Sequence, residues 1–370
     1  AVSPAVAKAA MDSGVARFKI TDWDAYTTEL SKRLGMDDNI IRVITNKAKR
    51  NPKRVVFAEA DSLKILKAAQ IVKDEGIAHP ILLGNVERIK SLIDENNIDL
   101  EGVQILDTWH KDFEDQRHAF GQMLFEKRKR KGITKYEANK LMRDRNYYGC
   151  MMVNTGEADA LISGLTRNYA QTIKPALQII GTEEGVKKVA GMYMLMTKMG
   201  PLFFADTTVN ISPSAEELVE IAALTAKAVQ QFNIQPRLAM LSYSNFGSNQ
   251  GEEPTRVAEA VGILKQRYPG MIVDGEMQAN FAFNMELLKD NYAFSELATG
   301  HANTLIFPNL AAGNIAYKLM QELNSSDTIG PILLGMRKPV HVLQLGSSVR
   351  EIVNMVTIAV VDAQVKSNRK

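Results

Sequence analysis

Across 370 residues the chain holds one cysteine, Cys150, and five histidines. A lone cysteine excludes an internal disulfide and any multi-cysteine zinc site, and the scattered histidines offer no metal-ligand spacing, so no metal site is expected. Charge of one sign is also missing. The 45 Lys and Arg are interleaved with 42 Asp and Glu for a formal net charge of +3, which leaves nucleic-acid binding without support. No apolar run is long enough to cross a bilayer: the longest candidate, Ile352 to Val361, is broken by Asn354 and Thr357 and ends at Asp362. Neither G-x-x-x-x-G-K-S/T nor a strand-borne G-x-G-x-x-G occurs, which excludes a P-loop and a Rossmann dinucleotide site within the chain. Cys150, after Asn146-Tyr-Tyr-Gly, reads as a packed small residue rather than a nucleophile. A soluble, cytoplasmic protein with no membrane or nucleic-acid partner is expected. The start at Ala1, without an initiator Met, a basic n-region or a cleavage pattern, is read as a piece of a longer polypeptide and not as a signal peptide.

What is present is ordinary globular material, 45% hydrophobic and 24% charged, in a chain long enough for two domains. From Arg54 onward short apolar runs alternate with amphipathic stretches: Arg54-Val-Val-Phe-Ala, His79-Pro-Ile-Leu-Leu, Val103-Gln-Ile-Leu and Ala158-Asp-Ala-Leu-Ile-Ser-Gly. Such alternation predicts βαβ units around a mostly parallel sheet. A second series of buried strands begins at Val189 and continues at Pro201, Arg237, Met271 and Thr304. Thr134 with Glu137, and Ser214 with Glu217, are spaced as capping boxes, and Gly132 stands where a helix-ending glycine belongs. The Ile332-Leu-Leu strand and a helix from Ser348 to about Lys366 are expected to return to the first sheet. The fold class is therefore α/β, with two α/β lobes and a cleft between them. Before Asp38, Trp23, Tyr26 and Leu30 share a possible helix face, as in a connector docked elsewhere.

Several positions could carry chemistry. The loop Ser242-Tyr-Ser-Asn-Phe-Gly-Ser-Asn-Gln-Gly251 follows a strand and precedes a helix, so Ser242, Ser244 and backbone amides could cradle a phosphate or carbonyl; a plain polar turn is the competing reading. Glu59 and Asp61, at a strand end, read as caps of the next helix rather than as an acid and base pair. Ser348 and Glu351 have capping-box spacing as well.

The segment Lys338-Pro-Val-His-Val-Leu-Gln-Leu-Gly-Ser-Ser-Val-Arg-Glu351 resembles the catalytic turn of bacterial phosphate acetyltransferases, which usually reads K-P-V-N-D-L-S-R-G-C-S-x-x-D. Further matching pieces are Arg54 to Asp61, Lys127 to Thr134, Ala158 to Gly164, Lys174 to Gln178, Val273 to Gln278 and Asn303 to Lys318. The resemblance implies a fold like that of isocitrate dehydrogenase, an interlobe cleft, a dimer, and transfer of an acetyl group between phosphate and coenzyme A. That family assigns its Ser, Arg and final Asp to transition-state stabilisation and thiol deprotonation. Here those places hold Gln344, Leu345 and Glu351, a degenerate set, so no catalytic residue is expected. Loss of the Arg alone implies a rate loss of ~100-fold or more. The same resemblance offers Arg128, Thr166, Arg167, Lys174, Ser242, Ser244, Asn309, Gly313 and Asn314 as candidates for holding acetyl-CoA or phosphate. For Arg128 a helix C-terminus complementing the dipole stands as the alternative, and for Arg167 a surface role. Lys174 stands where the family has Arg, keeping charge without the bidentate fork.

Ala1 to Ala16 is similar to the last helix of the catalytic region in large bacterial hybrid malic enzymes, in which a phosphate acetyltransferase-like domain follows. On that resemblance residues 1–37 are a connector, 38–184 plus 332–370 a first lobe and 185–331 a second. The expected role is a regulatory domain that binds acetyl-CoA as an effector, with NADP and Mg or Mn served by the preceding region. A homodimer through this domain is expected, within a higher homo-oligomer of the whole enzyme. A working phosphate acetyltransferase and a purely structural dimerisation domain remain the alternatives.

Overall fold

The computed structural model describes residues 2–16, 18–23, 26, 39–323 and 328–367. Two sheets form where the two series of apolar runs predict them. The first contains β1 (Lys53–Phe57), β2 (Ala78–Leu83), β3 (Gln104–Leu106), β4 (Ala160–Ser163) and β11 (Val340–Val342), in the order β11-β4-β1-β2-β3 with every pairing parallel. The second contains β5 (Ala190–Thr197), β6 (Gly200–Ala205), β7 (Arg237–Leu241), β8 (Ile272–Met277), β9 (Thr304–Ile306) and β10 (Thr328–Leu334), in the order β10-β5-β6-β9-β7-β8. In it β10, β5 and β6 pair antiparallel, while β6, β9, β7 and β8 are parallel neighbours. Strand centres such as Val55, Val56, Phe57, Leu161, Phe203 and Leu238 are wholly buried, as expected for sheets covered on both faces.

Helices α1 (Val2–Asp12) and α2 (Asn39–Lys49) precede the first sheet, and α3 (Leu63–Asp74), α4 (Val86–Glu95), α5 (Glu114–Arg128), α6 (Lys135–Leu141), α7 (Arg145–Thr155) and α8 (Tyr169–Ile179) follow its strands. The second lobe carries α9 (Ala215–Gln231), α10 (Glu252–Arg267), α11 (Ala279–Phe283), α12 (Met285–Tyr292) and α13 (Leu310–Leu323). The capping boxes at Thr134 and Ser214 both form, and Gly132 takes the left-handed conformation, φ 83°, that ends the basic turn before α6.

One strand lies elsewhere than expected. Ile332 to Leu334 belongs to β10, which pairs antiparallel with β5 in the second sheet, and the chain re-enters the first sheet through β11 beside β4. An apolar run encodes burial, not the identity of the neighbouring strand. The last helix, α14 (Val349–Ser367), does return: it packs on α2, α3, β1 and β4, and also touches β10. Ile352, Met355, Val356, Ala359, Val360 and Val361 are buried around its whole circumference, so one apolar core runs through both lobes. Gln364, also buried, places Nε2 2.9–3.1 Å from the carbonyls of Lys47, Ala48 and Asn51 and so satisfies the end of α2. In the connector Trp23 and Tyr26 meet edge to face at 5.9 Å, whereas Leu30 lies outside the described residues. Among the described residues no helix is long and apolar enough to cross a membrane, and no group of three or more His, Cys, Asp or Glu could hold a metal ion.

Candidate ligand-binding site

In the first sheet the strand order runs away in both directions from the β4/β1 pair, which makes the crevice over their carboxyl ends the topological switch point. Glu59, two residues beyond β1, fills it. Its carboxylate accepts from the amides of Gly164 and Leu165, both at 2.7 Å, from the Thr166 amide at 3.0 Å and from the Thr166 hydroxyl at 2.5 Å. Backbone amides that could cradle a ligand anion here are thus already bound to an anion of the protein. The second lobe repeats the device. Asp206, just past β6, accepts from the amides of Gly191, Thr208, Val209 and Asn210 at 2.8–3.1 Å. Glu276, in β8, accepts from the Gly247 amide at 2.7 Å and the Ser244 hydroxyl at 3.0 Å. All three carboxylates are buried, so each is held in place by the donors it collects.

The helix-cap reading of Glu59 and Asp61 is corrected by this geometry. Ser62 is the cap residue of α3, and Asp61 pairs with Arg145 at 2.9 Å. The signal was an acidic residue straight after a buried strand whose following helix already had a cap residue of its own.

The segment linking β11 to α14 is a tight turn. Gly346 takes φ 85°, Ser347 bonds back to the Gln344 carbonyl through both its amide, 3.2 Å, and its hydroxyl, 3.0 Å, and Lys64 Nζ donates to the carbonyls of Gly346 and Ser347 at 3.0 Å. Glu351 closes the capping box of α14: its carboxylate accepts from the Ser348 amide at 2.6 Å, and its own amide donates to Ser348 Oγ at 3.2 Å. Leu345 projects from the turn, 68% exposed.

Thr166 and Arg167 line one crevice of about 530 Å³ over the first sheet, together with Asp61, Trp109, Arg143 and Arg145. The Thr166 hydroxyl is bound to Glu59, and Arg167 donates to Asp144 at 2.5 Å. Neither Arg128 nor Lys174 lines that crevice. Arg128 ends α5 with Nε buried and unpartnered, and neighbouring Lys127, which donates to the Ile179 carbonyl, has its pKa lowered first by burial and then by the charges of Arg337 and Arg128. Lys174 is exposed on α8. In the second lobe the Ser242 hydroxyl is buried without a partner just past β7. Asn309 bonds to Glu253 and to the Ala312 amide, both at 2.9 Å, and Asn314 donates to the Thr207 carbonyl at 3.1 Å. Gly313 is required by packing: a Cβ there would stand 2.4 Å from the Asp206 carbonyl oxygen. The second-lobe candidates thus gather at the carboxyl ends of β6, β7 and β9.

Sequence reasoning passed over Trp109, Lys140, Arg143 and Arg145, and over Tyr169, Tyr193 and Tyr317. Tyr193 and Tyr317 stack at 4.0 Å. Tyr169 keeps a buried, unpartnered hydroxyl whose pKa is pushed up by burial and then by the charge of Asp206. An exposed tryptophan in a loop at a strand's carboxyl end was the one legible sign among them.

The profile of phosphate acetyl/butaryl transferases matches residues 39–360. This chain belongs to that family. The phosphate acetyltransferase of Acetivibrio thermocellus is 38% identical over 333 residues, 88% of this chain and 98% of that protein. The solved phosphotransacetylase from Streptococcus pyogenes superposes with a TM-score of 0.81 at 35% identity, covering 88% of this chain and 98% of that one. The NADP-dependent malic enzyme of Escherichia coli K12 is 36% identical over 365 residues, 98% of this chain but 48% of that enzyme. The chain therefore spans about half the length of the curated malic enzymes it matches. Both sheets and the turn before α14 lie within the span shared with the phosphate acetyl/butaryl transferase family. A crevice of about 960 Å³ between α9 and Tyr268–Ile272 is lined by none of the candidate residues.

Proposed function

We propose that this chain is the regulatory half of an NADP-dependent malic enzyme, a member of the transferase family that binds acetyl-CoA and does not turn it over. The reading is carried by the turn before α14: the place of the family's arginine holds an exposed leucine, and the place of its base holds a glutamate engaged in a capping box. Leu345 can neither donate a hydrogen bond nor carry charge, so an electrostatic term of a few kcal/mol is absent from any acetyl-transfer transition state. The order of connector and domain, together with the identity to malic enzymes over 98% of the chain, supports malate oxidation as the activity that is regulated. NADP and Mg or Mn would be bound by the other half of that enzyme, and acetyl-CoA by this one, in a homodimer within a larger assembly. Control then requires acetyl-CoA to favour one conformational or assembly state over another.

Calorimetric titration with acetyl-CoA, paired with an acetyl-transfer assay on the same preparation, tests the reading. Binding without turnover is expected. Turnover that disappears in Glu351→Gln would establish a working transferase instead, and absence of binding would leave only an assembly role. Malate kinetics of the full-length enzyme that are indifferent to saturating acetyl-CoA would remove the regulatory part.

A further inference from the structure

We propose that the crevice over the first sheet is a purine-nucleotide site, separate from the turn before α14, in which Trp109 stacks the base and Lys140 with Arg143 holds phosphate. It lies at the carboxyl ends of β1, β3 and β4, where this sheet order places ligands, and has a volume of about 530 Å³. Its wall is built. Trp109, 65% exposed, has the Arg143 guanidinium 5.1 Å from its ring centroid, and the Thr108 hydroxyl donates to the Arg143 carbonyl at 3.0 Å. Arg117, itself buried, ties the same loop down by donating to the carbonyls of Thr108 at 2.9 Å and His110 at 2.6 Å. Indole and guanidinium are therefore held against each other before any ligand arrives.

The charges in the crevice resolve in favour of an anion. Of its acidic groups, Glu59 is consumed by the 164–166 amides, Asp61 by Arg145 and Asp144 by Arg167. Lys140 and Arg143 also line it, and among the described residues neither has an acidic partner. The same two cations border a second crevice of about 300 Å³ that includes the exposed Tyr136. Two uncompensated cations beside an exposed aromatic surface suit a phosphorylated nucleotide, which supplies both an anion and a flat π-face. That chemistry is shared by the 3′-phospho-ADP end of a coenzyme A thioester and by a free nucleotide. The first source rests on the acetyl-CoA reading above; the site itself does not.

The test is calorimetric titration of the chain with 3′-phospho-ADP, ADP and acetyl-CoA, on wild type, Trp109→Ala, Trp109→Phe and the double variant Lys140→Gln/Arg143→Gln. All substituted side chains are exposed, and thermal denaturation checks that each variant folds. We expect a nucleotide to bind wild type, to weaken at least about tenfold in Trp109→Ala and in the double variant, and to recover most of its affinity in Trp109→Phe. If acetyl-CoA competes with 3′-phospho-ADP and weakens in parallel, the site receives the thioester; if ADP binds without competition, the source is a free nucleotide. Absence of nucleotide binding, or equal binding to wild type and all variants, overturns the proposal. Acetyl-CoA that binds all four proteins alike while a nucleotide weakens in the variants would exclude the thioester as the source and leave the acetyl-CoA reading intact.

Discussion

Glu59→Gln is the sharpest probe of how the first-lobe crevice is held open. Glutamine preserves size, keeps one acceptor oxygen and turns the other into an NH2 that faces donors. Glu59 receives four contacts of 2.5–3.0 Å from Gly164, Leu165 and Thr166 and is 5% exposed. Bonds to a charged acceptor contribute about 1.5–3 kcal/mol each, and two of them are lost while their donors stay buried, so destabilisation of about 3–6 kcal/mol is expected. Out of a typical total of about 5–15 kcal/mol this is a large fraction. Urea unfolding followed by circular dichroism reads it as a lower midpoint at unchanged slope. Thr166→Val, which removes only the hydroxyl contact to the carboxylate, should cost about 1.5–3 kcal/mol, less than Glu59→Gln. A change below about 1 kcal/mol for Glu59→Gln would refute the claim that this carboxylate organises the 164–166 loop.

Asp362 is pushed up by burial, but Lys366 and His341 outweigh that and hold its pKa at about 2. A depressed carboxylate contributes stability that is full above its unfolded value, here 3.8, and is lost as pH falls through the folded value; wild type should lose about 2 kcal/mol between pH 4 and 2 that Asp362→Asn does not lose, as read by pH-dependent urea unfolding. Gly313→Ala drives a Cβ to 2.4 Å from a backbone oxygen and should cost about 1–3 kcal/mol, whereas Gly262→Ala, mid-helix in α10 with open space around it, should gain about 0.5–1 kcal/mol in thermal denaturation. The Cys150 thiol is fully buried, and burial, followed by the charge of Asp144, pushes its pKa up; it should stay inert to Ellman's reagent at pH 8 in the folded chain and react once on unfolding.

The fold was legible wherever a local pattern encoded it. Strands at Arg54, His79 and Arg237 announced themselves by apolar runs, and the helix starts at Thr134 and Ser214 by reciprocal Ser/Thr and Glu spacing. What failed was pairing: β10 reads as buried from Ile332-Leu-Leu, yet only three-dimensional adjacency to β5 decides its sheet. The candidate site divides in the same way. The Ser348 and Glu351 cap is a four-residue pattern and was readable, while the bond from Glu59 to residues 164–166 joins segments more than a hundred positions apart and was not. Trp109 and Arg143 meet through a loop and a helix end that share no sequence signal.

The placement of β11 and α14 has a consequence for how the chain is made. Four strands of the first sheet emerge from the ribosome before the second sheet, but its fifth strand, and the helix that covers β1 and β4, follow only after the whole second sheet has been synthesised. Until then Val55, Phe57 and Ile162 lack part of their covering, so the first lobe waits, sticky and incomplete, until β11 and α14 have been made. Its closure is a contact between distant parts of the sequence and should be the slow step of maturation. Truncation ahead of α14 would therefore damage the first lobe as much as the second.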